Sequence, residues 1–489
     1  MDAPASNAVT TENARSFKEL KEDPLYADRI QIYPKAVSGF FRRIKWAVLI
    51  LLLGLYYVVP WIRWDRGPNA PDQAVLVDMP GRRLYFFFIE IWPQEIYYLT
   101  FLLMAAAFGL FLATAIGGRV WCGFTCPQTV WTDLFMWVER KIQGDRAARI
   151  RLEKQPWSAD KIWKKTATHA AWLLIAAATG GAWIMYFNDA PTVVREILTG
   201  QASSAIYFFF GLFTFTTYLL AGWAREQVCT YMCPWPRIQA ALLDQDSYVV
   251  TYEKWRGEPR GPHKKGTSWD GRGDCVACNQ CVAVCPMGID IRDGLQLECI
   301  GCGLCVDACN GIMEKVGRPL NLITLDTERN QHNRAVGQPT ESRLVRPRTI
   351  IYVVILAVLG LGVLFGLTGR AGLDLNVLPD RNPLFVKLAD GSIRNGYTVK
   401  LLNRVREPKI YALTLDGLEG ATLSVLGRES EGSGPALLPA EPDQVSTYRL
   451  FVTVPPAADA EPVRSLHVIL TDQASDEAFT FETVFRGPE

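Results

Sequence analysis

Five apolar stretches stand out along the chain: Trp46 to Ile62, Ile96 to Ile116, Thr168 to Phe187, Ala205 to Trp223 and Thr349 to Leu367. Each approaches the roughly 17 to 25 residues that carry a helix across a bilayer. Trp46, Trp61, Trp64, Tyr97, Tyr98, Trp183, Tyr186 and Trp223 cluster at their ends, where amphipathic rings sit at the lipid–water interface. Buried core helices are usually shorter and rarely recur five times, so the pattern predicts five transmembrane helices and a lipid bilayer as a partner. After the fifth stretch the period changes. Apolar and polar residues alternate in Tyr397 to Asn403, Lys409 to Leu415, Thr447 to Val454, Ser465 to Leu470 and Ala478 to Phe485, with Gly, Pro and Asp between them. Short, evenly spaced strands predict an immunoglobulin-like β-sandwich over residues 373–489. It has no cysteine, so burial alone must hold it, and it reads as a docking module. A helix is expected over 128–142, with Asp133 and Glu139 on a solvated face.

The whole chain has 489 residues and a formal charge of +1. This is long enough for several units and too neutral for a general attraction to nucleic acid. Local charge is more informative. The stretch before the first span carries eight Lys and Arg and the 119–167 connection ten, against four in 63–95 and only Arg195 in 188–204. Basic loops stay on the cytoplasmic side. The amino terminus is therefore expected inside, and the region after Leu367 outside, in the periplasm of a Gram-negative cell. Residues 1–45 end in Arg42, Arg43 and Lys45 and show no cleavage site, so the first span reads as a retained anchor in a bacterial inner (cytoplasmic) membrane.

All twelve cysteines fall into four tight motifs. Cys275, Cys278, Cys281 and Cys285, and again Cys299, Cys302, Cys305 and Cys309, follow the C-x2-C-x2-C-x3-C spacing that wraps thiolates around a [4Fe-4S] cluster. Three sulfurs from one short loop grip three corners, and the fourth ligand comes from the other motif. This assigns Cys275, Cys278, Cys281 and Cys309 to one cluster, and Cys299, Cys302, Cys305 and Cys285 to the other. Pro286 follows the fourth cysteine of the first set, whereas Asn310 replaces proline after the second. Disulfides or zinc would not need two interleaved sets of identical spacing. A two-cluster ferredoxin domain of about 270 to 325 is too small to organise itself without its clusters. The Gly-, Pro- and Lys-rich segment Trp255 to Asp274 leads into it, and a polar stretch from Thr327 to Arg348 leads out. Every cysteine lies on the predicted inner side, where thiols stay reduced.

The remaining four cysteines form a repeat. Helices two and four both run into a CxxxCP motif, Cys122/Cys126/Pro127 and Cys229/Cys233/Pro234, offset by 107 residues. The membrane core thus reads as a duplicated two-helix unit. Side-by-side packing of the duplicates would bring the four sulfurs to one depth. Proline after the second cysteine suits the first position of a helix, placing Cys126 and Cys233 near helix amino ends, where thiolate is favoured. Soft thiolates select Cu(I), with zinc as competitor, and Met232 is a candidate auxiliary ligand. Against this, a CxxxC alone is a weak signal and cysteine is a comfortable small residue in membranes. His169, His263, His332 and His467 show no ligand-like grouping. The organisation expected is a cytoplasmic tail (1–45), a four-helix core (46–254), a cytoplasmic ferredoxin-type domain with linkers (255–348), a fifth transmembrane helix (349–367) and the outer sandwich (373–489).

On these residues the chain resembles, over essentially its full length, the cytochrome c oxidase accessory family called CcoG, FixG or RdxA, membrane-bound polyferredoxins. The resemblance rests on the two CxxxCP motifs, the double ferredoxin motif running through Cys305 and Cys309 into Asn310-Gly311-Ile312-Met313, and the sandwich after a fifth span. It implies assembly of a cbb3-type haem–copper oxidase by reduction of Cu(II) to Cu(I) at Cys122, Cys126, Cys229 and Cys233. The implied partners are the oxidase assembly machinery and a copper transporter or chaperone. The cytoplasmic electron donor is not named, and a homodimer is left open. The chain is also similar to NapH-type membrane quinol dehydrogenases, although a fifth span and sandwich disfavour that reading. A non-catalytic copper-binding assembly factor is the third alternative.

Overall fold

A computed structural model describes residues 31–488 apart from 68–69, 264–265, 267, 371, 406, 428–434, 443, 457–460 and 476. Residues 1–30 of the expected tail lie outside the described residues. The first half of the chain forms α1 (Phe40–Val58), β1 (Val75–Asp78), β2 (Arg83–Phe86), β3 (Ile89–Ile91), α2 (Tyr97–Gly117), α3 (Pro127–Gln143), α4 (Arg146–Lys154), α5 (Ala159–Met185), α6 (Ala190–Thr199), α7 (Ser204–Thr217) and α8 (Trp235–Leu242). Next come β4 (Tyr248–Tyr252), α9 (Gln280–Val284), α10 (Leu304–Val316), β5 (Ile323–Thr327), α11 (Glu328–Ala335) and α12 (Pro347–Thr368). The carboxy-terminal strands are β6 (Leu373–Pro379), β7 (Val386–Lys387), β8 (Ile393–Asn403), β9 (Lys409–Asp416), β10 (Thr422–Val425), β11 (Ala436–Ala440), β12 (Gln444–Val454), β13 (Val463–Asp472) and β14 (Ala478–Arg486).

Among the described residues, five helical segments are long and apolar enough to cross a membrane: Phe40–Trp61, Pro93–Gly117, Ala159–Met185, Ser204–Ala224 and Pro347–Thr368. Each contains most of the corresponding predicted stretch, and most of their residues are left unburied by protein, as lipid-facing helices require. The protein is a multi-pass membrane protein. Its chain divides into two compact units, one made of Met1–Leu51, Ala113–Ala176 and Phe215–Arg346, the other of Leu52–Leu112, Ala177–Thr214 and Pro347–Glu489.

The second unit contains the sandwich. One sheet runs β10-β12-β8-β6, with β7 also on β8, and the other β11-β9-β13-β14. Alternation along the strands sends Leu401, Leu413, Leu438, Leu450, Leu466, Leu470 and Phe485 into one wholly buried core. The five predicted strands are present. β6, β7, β10 and β11 were not predicted, because they are short or carry proline and show too few alternations to be read. The same unit holds an antiparallel β1-β2-β3 sheet inside the 63–95 connection. Buried Glu95 is its ionic anchor, bonded by Arg370 Nε at 2.9 Å with Arg404 nearby at 3.6 Å.

The first unit carries all twelve cysteines. Its ferredoxin-type part is closed by antiparallel pairing of β4 with β5, from Tyr248 opposite Thr327 to Tyr252 opposite Ile323. Val250, Tyr252, Ile291, Val306, Met313, Leu322 and Ile323 form its small apolar core around the cysteines. Residues before α1 and in its first turn strap this part to α3 and α4. Lys35 N–H donates to the Ala283 carbonyl at 2.8 Å, Arg149 reaches the Pro34 carbonyl at 2.6 Å, and Arg42 N–H donates to Asp307 at 2.8 Å.

That strap corrects one expectation. Asp133 and Glu139 are not on a solvated face: they are only 3% and 4% exposed. Arg42 bonds both Asp133 oxygens at 2.8 Å, with Lys45 at 3.8 Å. Glu139 is held by Arg149 at 2.8 Å and Arg225 at 3.1 Å. The opposite face of α3 stacks Phe135 on Trp172, with ring centroids 5.6 Å apart.

Candidate functional site

The ferredoxin-type cysteines are gathered into two quartets by chain winding. Ala277 and Asn279 (φ 52° and 53°) and Gly301 and Gly303 (φ 68° and 70°) adopt left-handed conformations that coil each loop back on itself. Burial pushes Cys309 up to about 12, and its sulfur neighbours are Cys281, Cys275 and Cys278. Burial also pushes Cys285 up to about 12, beside Cys302 and Cys299. Cys305 is raised well above the usual range by burial and by Cys302, Cys299 and Cys285. The fourth cysteine of each sequence motif therefore sits with the other motif's trio. Backbone N–H groups of Met287 and Ile289 point at Cys285, and that of Gly301 at Cys299. Amides aimed at sulfur suit a cluster's thiolates. A cavity lined by Cys281, Cys285, Cys299, Cys302 and Cys305 with Ile289 and Ile291 lies between them. Soft donors, amide dipoles and an apolar wall fit a [4Fe-4S] group. Cys278 is exposed, whereas Cys281 and Cys302 are buried.

The CxxxCP motifs depart from α-helix in the same way. Residues Trp121–Thr125 and Val228–Met232 are π-turns, closed by Cys126 N–H to the Trp121 carbonyl and Cys233 N–H to the Val228 carbonyl, both at 2.8 Å. Such turns are rare and cluster at functional sites. Cys126 then caps α3, with Pro127 as its first residue, and Cys233 immediately precedes the cap of α8. Burial pushes the Cys122 thiol up to about 12; Cys126 and Cys229 add to the rise, Arg119 opposes it, and Cys233 contributes last. Cys229 is pushed up to about 12 by burial, then by Cys126, Cys233 and Glu226. Cys122 thus lies within electrostatic reach of the other three sulfurs, and Cys229 of Cys126 and Cys233. Protons on Cys122 and Cys229 must leave when a metal binds. Cys122 donates to Gln239 Oε1 at 3.0 Å, and Gln239 Nε2 in turn donates to Thr114 at 3.3 Å.

This third quartet abuts the second. Gly123, inside the first CxxxCP motif, lies so close to the other loop that a Cβ there would stand 2.9 Å from the Ile300 carbonyl and 3.2 Å from Cys302 Cα. Cys122, Val284, Ile300, Cys302 and Leu304 share one apolar cluster, with Met287 packed on it. Met287 also lines a cavity of about 30 Å3 with Cys229, Lys45, Asp133 and Arg225. Met232 is 65% exposed, whereas Met287 and buried Met136 are thioethers lining the cavity beside Cys229. Sequence reading gave no role to Met287, Gln239 or Arg119, because their contacts with the third quartet and the second cluster loop are made by packing across distant segments.

Comparison with known proteins agrees with this anatomy. A family model described as a 4Fe-4S dicluster domain matches residues 224–328, one described as a 4Fe-4S binding domain matches 99–144, and one described as the IG-like fold at the C-terminal of FixG, putative oxidoreductase, matches 363–488. The chain is 51% identical to the nitrogen fixation protein FixG of Rhizobium meliloti, over 95% of this chain and 94% of that one. The chain belongs to the FixG/RdxA family. It is also 48% identical to protein RdxA of Cereibacter sphaeroides, over 89% of this chain and 92% of that one. A more distant relative is the ferredoxin-type protein NapH of Escherichia coli, 22% identical over 56% of this chain and 89% of that one. As a FixG/RdxA polyferredoxin it is an iron–sulfur electron-transfer protein with a carboxy-terminal immunoglobulin-like domain.

Proposed function

We propose that this FixG/RdxA-family chain is a cupric reductase of the bacterial inner membrane that supplies Cu(I) for assembly of a cbb3-type oxidase. The supporting observation is that Cys122, within electrostatic reach of Cys126, Cys229 and Cys233, packs with Ile300 and Cys302 of the second cluster loop. Bound by Cys275, Cys278, Cys281 and Cys309, and by Cys285, Cys299, Cys302 and Cys305, two [4Fe-4S] clusters would supply one-electron storage at each quartet. The chain's own residues do the rest. Exposed Cys278 offers the first quartet to a cytoplasmic electron donor, and the apolar contact of Cys122 with Cys302 excludes water at the junction. Cu(II) held by the third quartet takes up one electron, and soft thiolates retain the softer Cu(I) that forms. A copper transporter or chaperone would collect the ion. The bias of basic residues supports a cytoplasmic amino terminus and ferredoxin domain and a periplasmic sandwich.

A second reading has one observation in its favour: the 4Fe-4S binding model at 99–144 covers Cys122 and Cys126 and no other cysteine. In that reading the third quartet holds iron. Metal analysis separates the two, since copper at the third site leaves about eight irons per chain from two [4Fe-4S] clusters. A NapH-like quinol dehydrogenase is weaker, because that match spans 56% of this chain against 95% for FixG. The deciding experiment mixes the purified, reduced protein with Cu(II) or with a quinone analogue. Rapid reoxidation by Cu(II), lost when Cys122, Cys126, Cys229 and Cys233 become serine while the cluster spectrum persists, is the expected result. Reoxidation by quinone alone, or by neither, refutes the reductase.

A further inference from the structure

The two CxxxCP repeats match in backbone but not in charge. Three residues before the first cysteine stands Arg119 in one repeat and Glu226 in the other, again 107 apart. Both are buried, 5% and 8% exposed. Arg119 Nη1 donates to the Cys299 carbonyl at 2.6 Å and to the Leu297 carbonyl, and Nη2 reaches the Pro236 carbonyl at 3.4 Å. Its Nε has no hydrogen-bond partner among the described residues. Gly301, left-handed at φ 68°, leaves 3.2 Å between its would-be Cβ and that of Arg119, so the loop is moulded on this residue. The guanidinium acts electrostatically on both Cys299 and Cys122. Glu226 instead faces the Cys229 side, lining the cavity that contains that thiol.

We infer that Arg119 is a positioning residue that raises the reduction potential of the second ferredoxin-type centre, the one at Cys299. Its fixed positive charge acts on the second ferredoxin quartet at Cys299 and on Cys122 of the third, whereas Glu226 acts on Cys229. This rests on the reading of the third quartet as the Cu(II) site. An added electron is favoured near Arg119 and disfavoured near Glu226, so the reduced form of the centre at Cys299 is stabilised beside the third quartet, where Cu(II) would draw the electron on. The step would be a single-electron transfer, in which an iron–sulfur group held by Cys285, Cys299, Cys302 and Cys305 would give up the one electron that Cu(II) gains. No bond or proton is exchanged, since a guanidinium stays charged throughout.

A purely structural role would make Arg119 a stitch across three carbonyls, and charge-selective variants separate the two. Redox titration of the full-length protein without copper reads the iron–sulfur centres directly. Arg119→Gln is expected to make reduction of one centre about tenfold less favourable, about 59 mV for one electron, leaving the other unmoved. Arg119→Lys should retain most of the wild-type value. Glu226→Gln should leave both centres unmoved and shift bound copper about tenfold toward Cu(I). Unmoved potentials in an iron-replete Arg119→Gln protein overturn the inference. Should Arg119→Gln lose iron, Arg119→Lys decides, because a tenfold shift with charge retained overturns it equally. Failure of the wild-type protein to reduce Cu(II) would sink the reductase reading while leaving the copper-free potentials to judge Arg119.

Discussion

Gly123 is the position at which the smallest change has the most to say. A methyl group added there would stand 2.9 Å from the Ile300 carbonyl oxygen, 3.1 Å from that of Gly301 and 3.2 Å from Cys302 Cα. All three are backbone atoms of a loop pinned by its own cysteines and by Arg119, so no flexible side chain can swing aside. Overpacking of this kind costs about 1–3 kcal/mol. If separation of the two loops relieves it, the close arrangement becomes roughly five- to 150-fold less populated, at 1.36 kcal/mol per factor of ten. Gly123→Ala should therefore keep its ferredoxin-type clusters and its third quartet, yet pass electrons between them at least several-fold more slowly. Stopped-flow reoxidation of the reduced protein by Cu(II), with iron content and cluster spectrum measured on the same sample, is the assay. Wild-type rates in an iron-replete Gly123→Ala protein would refute the reasoning, because the apposition would then carry no electrons.

Cys309→Ser should abolish the cluster of Cys275, Cys278 and Cys281, and Cys285→Ser the other, which paramagnetic resonance of the singly depleted proteins can assign. Asp133→Asn strands buried Arg42 and Lys45 and should cost about 3–5 kcal/mol, read as a lowered detergent-extracted melting temperature. Burial alone would raise the Asp133 carboxyl, but Lys45 and Arg42 hold it below the ordinary carboxylate range. Its stabilisation is thus present above that range and lost as pH falls through the depressed value; melting in acid should show that loss, and Asp133→Asn should lack it. In metal-free protein, alkylation of Cys122 and Cys229 should climb about tenfold per pH unit from 7 to 10 without a plateau, since both thiols are pushed up to about 12 and only thiolate reacts.

What the sequence determined by itself is whatever depends on neighbours along the chain. Unbroken apolar runs of span length, alternation in the sandwich strands and C-x2-C-x2-C-x3-C spacing each report a local geometry, and each produced its element. The short strands β6, β7, β10 and β11 escaped because a few residues do not establish a period. The solvated reading of α3 failed for a different reason. A polar stripe looks alike whether water or a second set of charges covers it, and here the cover is Arg42, 91 residues earlier. The junction of the thiol sites was equally invisible, since Arg119 meets Cys299 across 180 residues. Only tertiary structure decided that two repeats 107 residues apart would pool their sulfurs and set them on the cluster loop, because packing, unlike periodicity, is fixed by which distant surfaces exclude water together.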